Sequence, residues 1–131
     1  MLSVVYFCAM DSRYPTLKEV SVYLQAFKAK MAVWGVLFRD DRGKNTLALL
    51  EMGLTPSDRK AVLMSLVPED YYKGPRKEML YGGQDMWEFG RTITTQEVYI
   101  KISEGFEGSQ VLCISFHPAE RPMVYPLKNS K

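Results

Sequence analysis

Glu97-Val98-Tyr99-Ile100-Lys101-Ile102 and Val111-Leu112-Cys113-Ile114-Ser115-Phe116-His117 are the two stretches whose reading decides the fold. In each, apolar and polar side chains alternate with a period of two, the pattern of a strand with one buried face. The intervening Glu104 to Gln110 holds glycine, serine and charged residues and reads as a hairpin loop. Centring that loop on Glu107 predicts that Ile102 faces Leu112, Ile100 faces Ile114 and Val98 faces Phe116. A one-residue slip would turn the wrong side chains inward, so this register is favoured. The other face then carries Lys101 opposite Cys113, Tyr99 opposite Ser115, and Glu97 opposite His117. Diagonal neighbours on a sheet lie about 7–8 Å apart, so Tyr99 and His117 are expected to reach one ligand, with Lys101 beside them. The same residues also fit an ordinary solvated sheet face.

Working outward, Met86-Trp87-Glu88-Phe89 leads into a further strand, and Pro118 and Pro122 end regular pairing. Residues 118–131 read as an extended tail whose Arg121–Leu127 part packs on the body, with Asn129-Ser130-Lys131 fraying. Upstream, Arg76 to Asp85 contains Arg76, Lys77, Gly82 and Gly83 and reads as a basic, flexible loop. Thr16 and Glu19 form a capping box, and Leu17, Val20, Leu24, Phe27, Met31 and Trp34 follow as one helical stripe, ended by Gly35. Val36-Leu37-Phe38 is a short strand and Asp40-Asp41-Arg42-Gly43 a turn. A short helix from Lys44 or Asn45 runs through Leu47, Leu50 and Met52 to Gly53. Thr55-Pro56-Ser57-Asp58 opens another, with Ala61, Val62, Leu63, Leu66 and Val67 as its apolar side. Pro68-Glu69-Asp70 starts one more turn carrying Tyr71, Tyr72 and Lys73, and Gly74-Pro75 stops it. Residues 1–13 read as a candidate N-terminal strand.

The chain has 131 residues, 47% of them hydrophobic and 24% charged, which suits one globular α+β domain with a core of its own. Seventeen basic against fifteen acidic side chains leave a net charge of +2, too mild to prove a nucleic-acid partner. Cys8 and Cys113 sit in apolar runs and read as buried thiols in a reducing compartment. With one histidine and no paired cysteines, a zinc site is not expected. The apolar start lacks a basic leader and is too short to span a bilayer. A cytoplasmic protein with no membrane partner and no cofactor is expected.

From Thr46 onward, the chain resembles the MqsR family of bacterial toxins. The resemblance runs through Leu66-Val67-Pro68-Glu69-Asp70-Tyr71-Tyr72-Lys73, then Trp87, then Val98-Tyr99-Ile100-Lys101-Ile102, then Ile114-Ser115-Phe116, covering roughly the C-terminal two-thirds. It implies a RelE-like fold, a small antiparallel sheet with N-terminal helices packed on it. It also implies metal-independent cleavage of messenger RNA by a toxin that a cognate antitoxin holds inactive, possible ribosome dependence included. On that pattern the functional lysine is Lys73, near the end of the family's long helix, and the functional tyrosine is Tyr99. The family's glutamine after the tryptophan is replaced by Glu88, and its lysine after Ser-Phe by His117. These departures would fit a subfamily in which histidine transfers the proton.

Metal-free RNA cleavage needs a base for the 2′-OH proton, an acid for the departing 5′ oxygen, and positive charge near the phosphate. Histidine exchanges its proton near neutral pH and suits either transfer, which makes His117 the first candidate. Tyr99 can position the phosphate or assist; Lys73 and Lys101 can stabilise the charged phosphorane; Glu88 can orient His117 or be a surface carboxylate. Arg76, Lys77 and Arg91 can hold flanking phosphates, and Tyr72 and Tyr81 can stack on bases. Two other classes fit the same residues: a non-catalytic RNA- or ribosome-binding module, and a protein-interaction domain.

Overall fold

A computed structural model describes residues 14–39, 43–77 and 84–128. Helix α1 (Leu17–Trp34) opens on the expected box, with Thr16 Oγ1 accepting from the Glu19 amide and Glu19 accepting from the Thr16 amide. Val20, Leu24, Phe27 and Met31 of its stripe are buried, but Trp34, the helix's last residue, is half exposed, and Gly35 then turns the chain at φ +85°. Strand β1 (Val36–Phe38) follows, then α2 (Gly43–Met52) and α3 (Pro56–Met64). In α2 it is Leu49 that enters the core, while Leu47 and Leu50 face out, one helical step from the expected face. Helix α3 starts at Thr55 with a reciprocal bond to Asp58 and buries Leu63; Leu66 beyond it is buried and Val67 is exposed.

Only Pro68–Asp70 is helical in the next segment, as a single 3-10 turn. Tyr71, Tyr72 and Lys73, expected in a helical turn, begin strand β2 (Tyr71–Lys77), and Gly74-Pro75 lies inside it. Irregular register between Tyr71 and Arg76 lets the strand absorb a proline that cannot donate to a ladder. Arg76 and Lys77 therefore sit on a strand rather than in a loop. Strands β3 (Asp85–Ile93), β4 (Gln96–Ser103) and β5 (Val111–Pro118) complete a five-stranded sheet of order β1-β5-β4-β3-β2. The sheet is mixed rather than wholly antiparallel: β1 pairs with β5 in parallel, Val36 beside Val111 and Phe38 beside Cys113. The expected strand over residues 1–13, the turn at Asp40–Arg42 and the fraying end at Asn129–Lys131 lie outside the described residues.

The β4–β5 hairpin forms, but with a shifted register. Tyr99 stands opposite His117, Ile100 opposite Phe116 and Lys101 opposite Ser115, after which Ile102 pairs with Cys113. Ile114 is the extra residue of a bulge, and one extra residue inverts the side-chain alternation beyond it. Hence Phe116, Cys113 and Val111 join Val98, Ile100 and Ile102 in the core, and Leu112 does not. Helix α1 covers this face, with Tyr23 stacked on Trp87 at 4.3 Å between ring centres. Among the described residues no helix is long and apolar enough to cross a membrane.

Candidate active site

The face of the sheet away from α1 carries the polar residues in rows. Lys73, Glu88, Lys101 and Ser115 follow one another across β2, β3, β4 and β5; in the next row come Gly90, Tyr99 and His117. Such neighbours stand about 4.5–5.5 Å apart at Cβ. The direct pairing of Tyr99 with His117 is thus closer than the diagonal expected from the sequence, and their ring centres lie 5.3 Å apart. All of these but Gly90 line an open pocket of about 310 Å³, together with Tyr72, whose ring meets Tyr99 edge-on at 6.3 Å.

Glu88 organises the floor. Its side chain is 4% exposed and accepts from Arg76 Nη2 at 2.5 Å and from Tyr99 Oη at 2.7 Å. A buried carboxylate needs such partners. Glu88 therefore orients Tyr99, and the tyrosine stands between it and the histidine it was expected to tune. Burial, and next the hydrogen bond to Glu88, push the Tyr99 phenol above the ordinary tyrosine range. Tyr99 keeps its proton and works as a hydrogen-bond donor. Arg76 gains from the same contact: its hydrogen bond to Glu88 raises its affinity for its proton.

His117 is nearly buried, and its Nδ1 lies 2.9 Å from the Pro118 carbonyl. A carbonyl can only accept, so this contact places a proton on Nδ1 and leaves the lone pair of the neutral ring on Nε2. Lys73 is exposed, with its ammonium 5.1 Å from the centre of the Tyr72 ring. Lys101 is half-buried beside Tyr99. Among the described residues, no group of three or more His, Cys, Asp and Glu side chains is arranged to hold a metal ion.

The sheet brings together seven of the residues singled out from the sequence: His117, Tyr99, Lys73, Lys101, Glu88, Ser115 and Tyr72. Arg76 joins them through Glu88. Lys77 is exposed beside Asp85 at the end of β2 and does not line the pocket. Arg91 sits on the opposite face, an odd number of residues from Glu88. It ties β3 to the 3-10 turn by an ion pair with Asp70 at 2.7 Å and to the end of α3 by bonds to the Ser65 carbonyl and hydroxyl. Tyr81 lies outside the described residues. The sequence reading missed the tail's contribution: Ala119, Glu120, Arg121 and Met123 form one wall of the pocket. A signal for it existed in Gly90, because a glycine within a strand often marks the close approach of another segment. A methyl group there would meet Tyr125 Oη at 2.5 Å and Met123 Cε at 2.7 Å.

No family model, curated protein or solved structure matches this chain. Its chemistry is therefore read from the pocket itself.

Proposed function

We propose that the protein is a metal-independent endoribonuclease, a RelE-like toxin of a toxin–antitoxin pair, which cleaves RNA by attack of a 2′-OH on the adjacent phosphate. The observation that carries the reading is the pairing of Tyr99 with His117 in a pocket that also holds Lys73 and Lys101. His117 Nε2 takes the 2′-OH proton; the oxygen attacks phosphorus, the P–O5′ bond breaks, and a 2′,3′-cyclic phosphate and a 5′-OH end result. The imidazolium formed in the first step can return its proton to the leaving oxygen. With substrate bound, Tyr99 turns its single phenol proton from Glu88 to a non-bridging phosphate oxygen, Arg76 keeps Glu88 paired, and the two ammonium groups offset the charge that develops there. Tyr72 offers a ring to a neighbouring base.

The test is cleavage of a labelled RNA by purified protein in EDTA, wild type against His117→Ala. Cleavage by the wild type alone, with a cyclic phosphate end, is the expected result. Equal cleavage by both proteins removes His117 from the chemistry, and loss of wild-type cleavage in EDTA removes the metal-free mechanism. RNA that is bound with a strong salt dependence but recovered intact would instead favour a binding module.

A further inference from the structure

The tail after β5 has little means of its own to hold a shape. Pro118 and Pro122 lack amide protons, and the segment between them runs off the edge of the ladder. Among the described residues, three hydrogen bonds that fasten it converge on one residue of β4. The Ala119 amide donates to the Glu97 carbonyl at 2.8 Å, the Met123 amide to Glu97 Oε1 at 3.2 Å, and Tyr125 Oη to Glu97 Oε2 at 2.6 Å. Leu127, further on, is buried in the core. Between these anchors, the chain crosses the sheet where Gly90 leaves room for it. The result is a strap that places the exposed Arg121 on the rim, across from Lys73 and Lys101.

We propose that Arg121 is a substrate-binding residue that holds a phosphate flanking the reacting one, and that Glu97 is the positioning residue which keeps the strap, and so Arg121, in place. Arg121's role rests on the ribonuclease reading; the role of Glu97 in holding the strap does not. The pocket's own cations, Lys73 and Lys101, flank Glu88 in one row and serve the reacting phosphate. A guanidinium on the opposite rim extends the positive surface by one contact along a chain of phosphates and fits the bidentate geometry that arginine offers them.

Two readouts separate the parts. The first is binding of a 2′-O-methyl oligoribonucleotide, which cannot be cleaved, followed by fluorescence anisotropy over a range of salt. The second is hydrogen exchange of the Met123 amide. Arg121→Gln is expected to weaken binding several-fold and reduce the salt slope by about one, with Met123 protection unchanged. Tyr125→Phe and Glu97→Ala are expected to speed Met123 exchange and weaken binding no further than Arg121→Gln does. Combining Tyr125→Phe with Arg121→Gln should add nothing to the binding loss. Glu97→Gln should restore most of the protection, since its oxygen still accepts from Met123 and its amide can donate to Tyr125. Unaltered exchange in Tyr125→Phe and Glu97→Ala overturns the role of Glu97. Faster exchange with undiminished binding, or full binding by Arg121→Gln, overturns the role of Arg121. A wild type that binds no oligonucleotide overturns both the ribonuclease reading and Arg121's part in it, while Met123 exchange still decides the strap.

Discussion

Replacing Tyr99 by phenylalanine removes one oxygen from the centre of the pocket and leaves the ring in place. The lost group donates to Glu88 Oε1 at 2.7 Å, a bond to a charged acceptor on a side chain that is 4% exposed. Such bonds contribute about 1.5–3 kcal/mol. Here the loss should fall toward the lower end, about 1.5 kcal/mol, because Glu88 keeps Arg76 and the open pocket admits water in place of the hydroxyl. For a chain of 131 residues unfolding carries about 0.28 kcal/mol per kelvin of entropy, so the melting temperature should drop by about 5 °C. Cleavage should fall much further, roughly 10²-fold or more, if the hydroxyl serves the reacting phosphate. Thermal melts and single-turnover cleavage measured side by side separate the two effects. A double-mutant cycle with Glu88→Ala should show coupling of about 1 kcal/mol in stability. A variant that loses the stability but cleaves at nearly the wild-type rate would refute the assignment and leave Tyr99 as a structural partner of Glu88. A variant with unchanged stability would show that the hydrogen bond makes no net contribution.

Three further outcomes can be checked. Gly90→Ala should push the tips of Met123 and Tyr125 off the sheet rather than move the strand, at about 1 kcal/mol in denaturant titrations; an unchanged midpoint would mean the tail yields freely. Arg91→Ala should destabilise by about 1–2 kcal/mol through its bonds to Ser65 and Asp70 while leaving oligonucleotide affinity intact; weaker binding would bring Arg91 into the RNA path. Burial raises the phenols of Tyr23, Tyr71, Tyr99 and Tyr125 above the ordinary tyrosine value. The unfolded chain therefore gives up these protons first: their contribution is fully present below pH about 10 and is lost as pH rises above it. Denaturation midpoints followed from pH 8 to strongly alkaline solution, with tyrosinate absorbance, should show that loss, and a flat profile through this window would contradict it.

The elements with local, repeated signals could be read from the chain alone. Helix α1, its capping box, the start of α3 and the β4–β5 hairpin all rest on periodicities and caps that act over a few residues. Two features escaped because long-range pairing decides them. Tyr71 to Lys77 holds a Gly-Pro step after a good helix start, and only its alignment with β3 makes it a strand. The bulge at Ile114 leaves no mark among neighbours that are all plausible core residues, so the register came out displaced. That displacement moved Tyr99 from a diagonal to a direct position beside His117, and the face on which the two were placed was right. Arg91 could have been removed from the list of phosphate contacts by counting, since an odd step from Glu88 puts it on the helix-covered face. Its partner Asp70, distant in sequence, could not have been guessed.

Strand β5 is inserted between β1 and β4, so an interior strand of the sheet is the last of the described strands to be made. Until Val111 and the residues after it are available, β1 has no partner among the described strands and β4 has one open side. Ser115, His117 and the strap wall are missing as well. Pairing β1 with β5 closes a loop of more than half the chain, a slow, non-local step. A growing polypeptide thus has neither a finished sheet nor a finished pocket until β5 and the strap have been made. If the pocket cuts messages, this order of assembly holds back the hazard until those segments emerge.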